Sequence, residues 1–245
     1  MKKIDLQDVT FLIPIRLDSV IRIENLLISI KNLTRHFNTN IIVLEASSYC
    51  NGILKRMLPN YVQYLFVEDN DPIFYRTHYL NVMTQTCESN IVAIWDADVI
   101  LPSVQIEEAV NLLRAQKCDV ALPYDGRFFD ISKTIREIFV KQMNVDFLIR
   151  NSDKMYYLYG EYVSGGAIFV DRKKYIEAGL ENEKFYGWGP EDQERMERWA
   201  NFNYRILRVN GGLFHLTHPR DLNGTFNSDL QRRRSCYSLY ETKKK

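Results

Sequence analysis

The 245-residue sequence predicts a single α/β domain built around a largely parallel β-sheet. Short apolar or β-branched runs alternate with segments whose apolar residues recur at helical spacing, a pattern typical of strand–helix–strand units. No internal repeat, low-complexity linker or Pro/Gly-rich boundary divides the chain. The length also suits one α/β domain with a substantial core.

The elements follow in order along the chain. A first strand leads into a helix that begins near Ser19, where apolar residues start to recur every three or four positions up to Leu33. The predicted strands are residues 10–15, 41–46, 62–68, 91–101, 119–124, 166–171 and 204–209. The other predicted helices are 77–87, a helix capped by Ser103 that runs to about 116, 132–149, and one that starts near Pro190. Residues 232–245 are predicted to form a loose basic tail.

Composition excludes several classes of partner. The 32 basic residues are balanced by 31 acidic ones, so no overall field favours nucleic acid. The four cysteines are far apart and lack Cys-x-x-Cys spacing, which indicates reduced thiols rather than a zinc site or a disulfide framework. No apolar stretch approaches the roughly 20 residues that span a bilayer. We therefore expect a soluble protein of a reducing compartment, the cytoplasm.

Two acids mark the first candidate site. Asp96 and Asp98 follow a run of apolar residues, and ligands of open α/β sheets bind beyond the carboxyl ends of the strands. On an extended chain, residues two apart project to the same side, so both carboxylates could meet one divalent cation and the diphosphate that it neutralises. The alternative is an Asx turn that ends the strand.

Two histidines mark the second candidate site, in the run LFHLTHPRD at 213–221. Imidazole is a good ligand for manganese, zinc or cobalt. His215 and His218 are three apart, so on a regular strand they would point to opposite faces, and both could bind one metal only if the backbone turned between them. His218 precedes a proline and is the stronger candidate, while a hydrogen-bonded structural role is the alternative for His215.

The run FYGWGPEDQE at 185–194 indicates a mobile loop in front of a helix. Proline is favoured in the first helical turn, so Pro190 places Glu191 and Asp192 where unpaired amides and the helix dipole stabilise acids. That structural role alone would explain the acids. The glycines on either side of Trp188 also allow the loop to close over a ligand, which favours a substrate clamp.

The chain resembles the β-1,4-galactosyltransferase family, which are inverting enzymes of the GT-A fold. The resemblance rests on PIR (14–16), FYRTHYLNV (74–82), WDADVILP (95–102), YVSGGAIFVDRKKYIEAGLENEKFYGWGPEDQE (162–194) and HPRD (218–221), which occur in the family's order. It implies a GT-A domain over residues 1–245, with a donor-nucleotide half at 1–125, an acceptor and catalytic half at 126–231, and the basic tail at 232–245. A bacterial-type relative is implied, because the membrane anchor and disulfides of the animal enzymes are not seen.

The resemblance also implies roles for individual residues. Arg16, Phe74 and Arg76 match positions that bind the UDP-sugar donor. Asp98 and His218 match positions that bind a divalent metal. Those that match acceptor or sugar contacts are Trp188, Glu191 and the glycine pair Gly165 and Gly166. Asp192 matches the general base, with Glu191 beside it. The metal is expected to be Mn²⁺, with Mg²⁺ possible, and the preferred sugars are galactose and N-acetylgalactosamine.

The implied mechanism is an inverting transfer, in which an acceptor hydroxyl attacks the anomeric carbon as the diphosphate leaves and Asp192 takes the proton. The helix N-terminus should lower the pKa of Asp192, which would weaken it as a base. The chain departs from the family at Asp18, where an arginine is usual, at Pro190, where glycine is common, and at His215, where methionine is common. His215 is therefore a third candidate ligand that could alter metal preference.

Three further hypotheses concern partners. Asp96 and Glu45, each at the end of a predicted strand, could contact the donor nucleotide, although a solvated strand-end charge explains Glu45 equally well. The acceptor is expected to be a saccharide or lipid-linked saccharide, and the basic tail could touch anionic lipid at the inner face of the membrane. The alternatives for the whole protein are a GT-A transferase that uses another nucleotide sugar, and a non-catalytic glycan- or nucleotide-binding module.

Overall fold

The computed structural model of the protein describes residues 2–160, 162–219 and 222–244. Its strands are β1 (Ile4–Ile15), β2 (Phe37–Ser47), β3 (Gln63–Glu68), β4 (Ile91–Trp95), β5 (Val99–Ile100), β6 (Val120–Leu122), β7 (Phe128–Ile131), β8 (Tyr156–Tyr157), β9 (Ala167–Asp171), β10 (Ile206–Arg208) and β11 (Leu213–Leu216). Its helices are α1 (Val20–His36), α2 (Ile53–Met57), α3 (Arg76–Thr86), α4 (Ser103–Arg114), α5 (Lys133–Gln142), α6 (Val145–Arg150), α7 (Arg172–Glu177), α8 (Glu191–Asn201) and α9 (Asp229–Lys243).

The main sheet has seven strands in the order β10-β6-β9-β4-β1-β2-β3. Four of its pairings are parallel, and the two that involve β9 are antiparallel, so the sheet is mixed but mainly parallel as expected. Strand β4 is buried throughout and β1 is buried from residue 9 to residue 15, in agreement with the mainly apolar sequence of these stretches and with helices packed against the sheet. The predicted α/β class is confirmed.

A second, four-stranded sheet has the order β5-β11-β7-β8 and carries its own small core around Phe129, Ile131 and Phe214. The predicted strand 91–101 is wrong as one element. The chain leaves β4 at Trp95, turns at residues 97 and 98, and enters β5 in the second sheet, where β5 pairs antiparallel with β11. This turn carries the Asp96-Ala97-Asp98 run to a junction between the two sheets.

Local sequence explains most helix boundaries. Ser19 caps α1 by accepting a hydrogen bond from the amide of Arg22, as its position predicted. The predicted helix 132–149 is two helices, because Met143 adopts a left-handed conformation (φ +50°) and Asn144 caps the next helix. Ser103 is the first residue of α4 rather than its cap.

The predicted loose tail is also wrong. Residues 229–243 form α9, which packs on α8. The Thr242 hydroxyl donates to Oε1 of Glu194 (3.0 Å), and the Asn201 amide donates to the carbonyl of Thr242 (2.8 Å). Small and polar residues on one side of α9 form hydrogen bonds with α8 and hold the helix in place. The basic composition of this segment does not predict these contacts.

No helix in the described parts of the chain is long and apolar enough to cross a membrane. The cytoplasmic location and the division into a donor half and an acceptor half stay predictions. The proposed boundary at residue 125 falls between β6 and β7, and strands from both sides of it share the main sheet.

Candidate active site

Sheet register brings the candidate metal ligands together. In the second sheet, His215 on β11 pairs with Val99 on β5 and with Asp130 on β7. Asp98 immediately precedes β5, so its carboxylate lies beside the same histidine. The strand ends at Leu216, and the chain then turns so that His218 also faces Asp98. The backbone turn that both histidines required is present.

Asp98, His215 and His218 form a compact cluster whose candidate ligand atoms all lie within 4.8 Å of one another. Nε2 of His218 is 3.0 Å from Oδ2 of Asp98, and Nε2 of His215 is 3.7 Å from the same oxygen. One carboxylate and two imidazoles are a donor set that suits Mn²⁺, Co²⁺ or Zn²⁺. The residues present therefore fit a divalent metal.

Both imidazoles are oriented through their second nitrogen. Nδ1 of His215 is hydrogen-bonded to Oδ1 of Asp130 (2.7 Å), and Nδ1 of His218 to the carbonyl of Pro219 (2.7 Å). A proton on each Nδ1 leaves Nε2 free to ligate, and metal-binding histidines in proteins are commonly held in this way. Sequence reasoning missed Asp130, because β7 was not predicted and no local motif marks this aspartate.

The charges within the cluster are strongly coupled. Burial alone would lower the pKa of His215, but the carboxylates of Asp98 and Asp130 outweigh burial and raise it to about 9. Burial would likewise raise the pKa of Asp98, but the two imidazoles outweigh it and hold that pKa well below its ordinary value. Asp98 is therefore a carboxylate in the protein without metal.

Asp96 does not join this cluster, which corrects the expectation that both acids meet one cation. Because the chain turns at residues 97 and 98, the two side chains diverge. Oδ1 of Asp96 accepts a hydrogen bond from Arg76 (2.7 Å), and the other terminal nitrogen of Arg76 lies 3.9 Å from Oδ1 of Asp192. Arg76 thus links the Asp96-Ala97-Asp98 turn to the predicted catalytic helix.

Glu191 and Asp192 occupy the first turn of α8, as predicted. Asp192 is ion-paired with Arg195 one turn later, and Arg195 is itself fully buried and donates to both carboxylate oxygens of Glu181 (2.8 Å each). Tyr175 completes the network by donating to Glu181 (2.6 Å). The base candidate is therefore held in place by a buried arginine that sequence reasoning missed, although its spacing of three residues from Asp192 on a helix was a usable signal.

The two acids have opposite pKa shifts. Burial favours the neutral form of Asp192, but Arg195 and then Arg76 outweigh it and lower the pKa. The pKa of Asp192 is thus lowered, as the sequence predicted, and the charges that lower it are those of the two arginines. Burial and then the charge of Asp192 raise the pKa of Glu191 to about 8. Oε2 of Glu191 is buried and has no hydrogen-bond partner among the described residues.

The glycine pair lies directly beside these acids. A Cβ added at Gly165 would lie 3.0 Å from Cγ of Asp192 and closer still to Oδ2, so only glycine leaves room for the carboxylate. Gly166 has φ +84°, and a Cβ there would meet the Phe128 ring at 2.7 Å. The Tyr124 hydroxyl donates a hydrogen bond to the carbonyl of Gly165 (2.6 Å) and so holds the backbone just before β9.

The tryptophan loop is packed rather than free in this structure. The Trp188 ring contacts Phe226 edge-on, with centroids 4.9 Å apart. The side-chain amide of Gln231, on the first turn of α9, donates to the carbonyls of Tyr186 (2.7 Å) and Trp188 (2.9 Å). Movement of this loop stays a prediction, and any opening must break the two Gln231 hydrogen bonds.

Arg16 and Phe74, which are predicted to contact the nucleotide, lie next to each other near the loop after β3. Arg16 donates to the carbonyls of Ala46 (3.1 Å) and Asp71 (2.6 Å) and pairs with Asp69, and its guanidinium lies 5.5 Å from the centre of the Phe74 ring. Each nitrogen of the Arg16 guanidinium therefore has a partner within the protein, and these contacts organise the loop after β3.

Glu45 lies at the end of β2 and is fully buried. Its Oε2 accepts a hydrogen bond from Tyr64 (2.8 Å), whereas Oε1 has no partner among the described residues. The last two residues of the HPRD motif, Arg220 and Asp221, lie outside the described residues.

Comparison with known proteins agrees with this architecture. Residues 146–221 match a family profile described as the N-terminal domain of galactosyltransferase. The resemblance to the galactosyltransferases is confirmed. The matched segment contains the glycine pair, the tryptophan loop, both acids and both histidines. No curated protein sequence matches the chain.

Solved structures share the fold at low sequence identity. The catalytic domain of Drosophila β1,4-galactosyltransferase 7, in complex with xylobiose, has a TM-score of 0.52 at 16% identity, over 97% of this chain and 79% of that one. Glucosyl-3-phosphoglycerate synthase from Mycobacterium tuberculosis, in complex with Mn²⁺, UDP and phosphoglyceric acid, has a TM-score of 0.57 at 15% identity, over 96% and 78%.

A mannosyltransferase from Pyrobaculum calidifontis, in complex with GDP-Man and Mn²⁺, has a TM-score of 0.54 at 17% identity. The match covers 87% of this chain but only 58% of the archaeal one. The chain therefore has the GT-A glycosyltransferase fold.

Proposed function

We propose that the protein is a metal-dependent, inverting glycosyltransferase that moves a sugar from a UDP-sugar to a hydroxyl of a saccharide acceptor, free or lipid-linked. The observation that carries the proposal is the Asp98, His215 and His218 cluster, joined through Asp96 and Arg76 to the half-buried acids of α8. A binding module would not need a carboxylate held beside a metal site. The galactosyltransferase-family segment supports galactose or N-acetylgalactosamine as the sugar.

Asp98, His215 and His218 would hold the metal, and Asp130 would position His215. Mn²⁺ is the proposed ion, because two of the structural neighbours are complexes with Mn²⁺. When bound, the metal supplies a Lewis acid that neutralises the departing diphosphate. Arg76 offers a further positive charge next to Asp96. One of its terminal nitrogens is buried and has no hydrogen-bond partner among the described residues.

Asp192 accepts the proton of the acceptor hydroxyl as that oxygen attacks the anomeric carbon. Its lowered pKa keeps it ionised at neutral pH and makes it a weak base, so transfer of the proton is late and positioning by Arg195 carries more weight than basicity. Glu191, with a pKa of about 8, is protonated at neutral pH and donates a hydrogen bond to the acceptor. Trp188 stacks on the acceptor sugar when the loop adopts its closed position.

The nucleotide end of the site includes Arg16, Phe74 and Glu45. The free oxygen of Glu45 is an acceptor for a ribose hydroxyl or a uracil N–H. Because the GT-A neighbours include both UDP and GDP-Man complexes, a transferase with another nucleotide sugar is the second candidate, and a donor screen separates the two.

The division of roles is tested with Asp98→Asn and Asp192→Asn. We expect Asp98→Asn to abolish Mn²⁺-dependent binding of the nucleotide in calorimetry. We expect Asp192→Asn to keep that binding within about threefold and to lose transfer by at least ~10²-fold, since general bases contribute ~10²–10⁴-fold. Asp153→Asn, at an exposed position, is the matched control. Equal loss of nucleotide binding in both variants would refute the assignment.

A further inference from the structure

Helix α9 presents an outer stripe that no described part of the chain covers. Its inner side, which includes the buried Ser235 and Thr242, packs towards α8. The opposite side carries residues spaced by three, four, three and four positions, which places them on one face of a helix. This outer stripe consists of Leu230, Arg233, Tyr237, Tyr240 and Lys244. Leu230, Tyr237 and Tyr240 are 58%, 63% and 53% exposed.

Helix α9 is basic although the whole chain is nearly neutral, and Arg232 and Arg234 flank the outer stripe on either side of Arg233. Residues 229–244 contain five basic and two acidic side chains, whereas the net charge of the chain is +1. Lys243 and Lys244 have acidic neighbours. The three consecutive arginines at 232–234 are exposed and form no ion pair with any described residue. Exposed clusters of Lys and Arg on a helix are attracted to anionic lipid, by about 1 kcal/mol per basic side chain near the surface.

We propose that the outer face of α9 docks on the surface of an anionic membrane. Arg232, Arg233 and Arg234 would contact lipid phosphates, and Tyr237 and Tyr240 would sit at the headgroup level, where amphipathic aromatic rings are favoured. A second copy of the chain fits this face poorly, because a two-fold interface would bring two basic surfaces against each other.

This placement has a consequence for the substrate, which rests on the proposed function. The first turn of α9 holds the tryptophan loop through Gln231. Gln231 is on the inner side of α9, so a membrane bound to the outer stripe would be separated from the tryptophan loop by the width of one helix, about 10 Å. That arrangement favours a lipid-linked saccharide over a free one as the acceptor.

The docking is tested by co-sedimentation of the full chain with vesicles of pure phosphatidylcholine or with about one-third phosphatidylglycerol, at low and high salt. No donor, metal or acceptor is needed, so a failure here is distinct from a failure of the proposed function. The wild type should bind the anionic vesicles at low salt and should lose this binding at high salt. It should not bind the pure phosphatidylcholine vesicles. The triple variant Arg232→Gln, Arg233→Gln and Arg234→Gln should bind on the order of 100-fold more weakly.

A matched control removes the same charge elsewhere, with Lys55→Gln, Lys117→Gln and Lys173→Gln at exposed positions. This control should change partitioning by no more than a few-fold. Equal weakening in the two triple variants would overturn the proposal, as would absence of vesicle binding by the wild type. Loss of a dimer in the arginine variant, seen by sedimentation velocity, would assign the face to a second copy instead. Tyr237→Ser with Tyr240→Ser should weaken vesicle binding without changing the charge.

Discussion

Replacement of Gly165 by alanine tests whether the position of Asp192 limits the reaction. The added carbon would lie 3.0 Å from Cγ of Asp192 and closer to Oδ2, whereas ordinary van der Waals contact begins at 3.4 Å. The carboxylate is also tied to the buried Arg195, so it cannot swing away freely. It must shift by roughly an ångström, a misplacement that costs ~10²-fold in rate. We expect kcat to fall by about 100-fold.

The assay compares four proteins in a double-mutant cycle: wild type, Gly165→Ala, Asp192→Asn and the double variant. Nucleotide binding in the presence of Mn²⁺ should be unchanged in Gly165→Ala, because the metal cluster is formed by other residues. If the glycine acts through the carboxylate, the double variant should be no slower than Asp192→Asn alone. A fully additive loss, or an unchanged kcat in Gly165→Ala, would refute the reasoning. Thermal melting should show a destabilisation of about 1–3 kcal/mol from overpacking.

Three further predictions follow from the network. Asp130→Asn should weaken Mn²⁺ binding by about 10- to 100-fold in calorimetry, with Asp153→Asn unchanged, and equal affinities would exclude a positioning role for Asp130. Arg195→Met leaves Glu181 buried without its partner and should lower the free energy of unfolding by about 3–5 kcal/mol in urea; a loss below about 1 kcal/mol would contradict the buried ion pair. Glu191 has a folded pKa of about 8 against ~4.3 when unfolded, so its ionisation opposes folding as pH rises. Glu191→Gln should therefore gain stability relative to the wild type between about pH 5 and pH 8, by up to ~2 kcal/mol after allowance for partial exposure, and a flat difference across that range would refute the shift.

Much of the main sheet could be predicted because its strands are marked by local apolar or β-branched runs in the sequence. β4 and the second half of β1 (residues 11–15) are continuous apolar runs, and α1 follows a serine that caps it. The second sheet could not be predicted in this way. Its strands have two to four residues, and β11 pairs with partners more than 80 residues away, such as His215 with Asp130. Tertiary pairing, rather than local propensity, decides such short strands.

The candidate site likewise combines residues that local sequence signals predict with residues whose roles depend on tertiary contacts. Asp98 and His218 were found because strand ends and a histidine before proline are local signals, and the structure brings them to 3.0 Å. Asp96 was assigned to the same cation because a straight strand was assumed where the chain turns. No local pattern marks Asp130, because its role depends on a partner across the fold. The spacing of Arg195 from Asp192 is a local signal, but its burial against Glu181 is not visible in the sequence. The basic composition at 232–234 was visible, but the helix that displays it depends on contacts with α8.

The most direct test of the central claim is a calorimetric titration of the protein with nucleoside diphosphates, first with Mn²⁺ and then with a chelator. The proposed function predicts that UDP binds with Mn²⁺ present, and that binding is lost with chelator and in Asp98→Asn. Binding of GDP in place of UDP would move the protein to another donor within the same fold. No binding of any nucleoside diphosphate, or binding that the chelator leaves unchanged, would contradict a metal-dependent glycosyltransferase at this site.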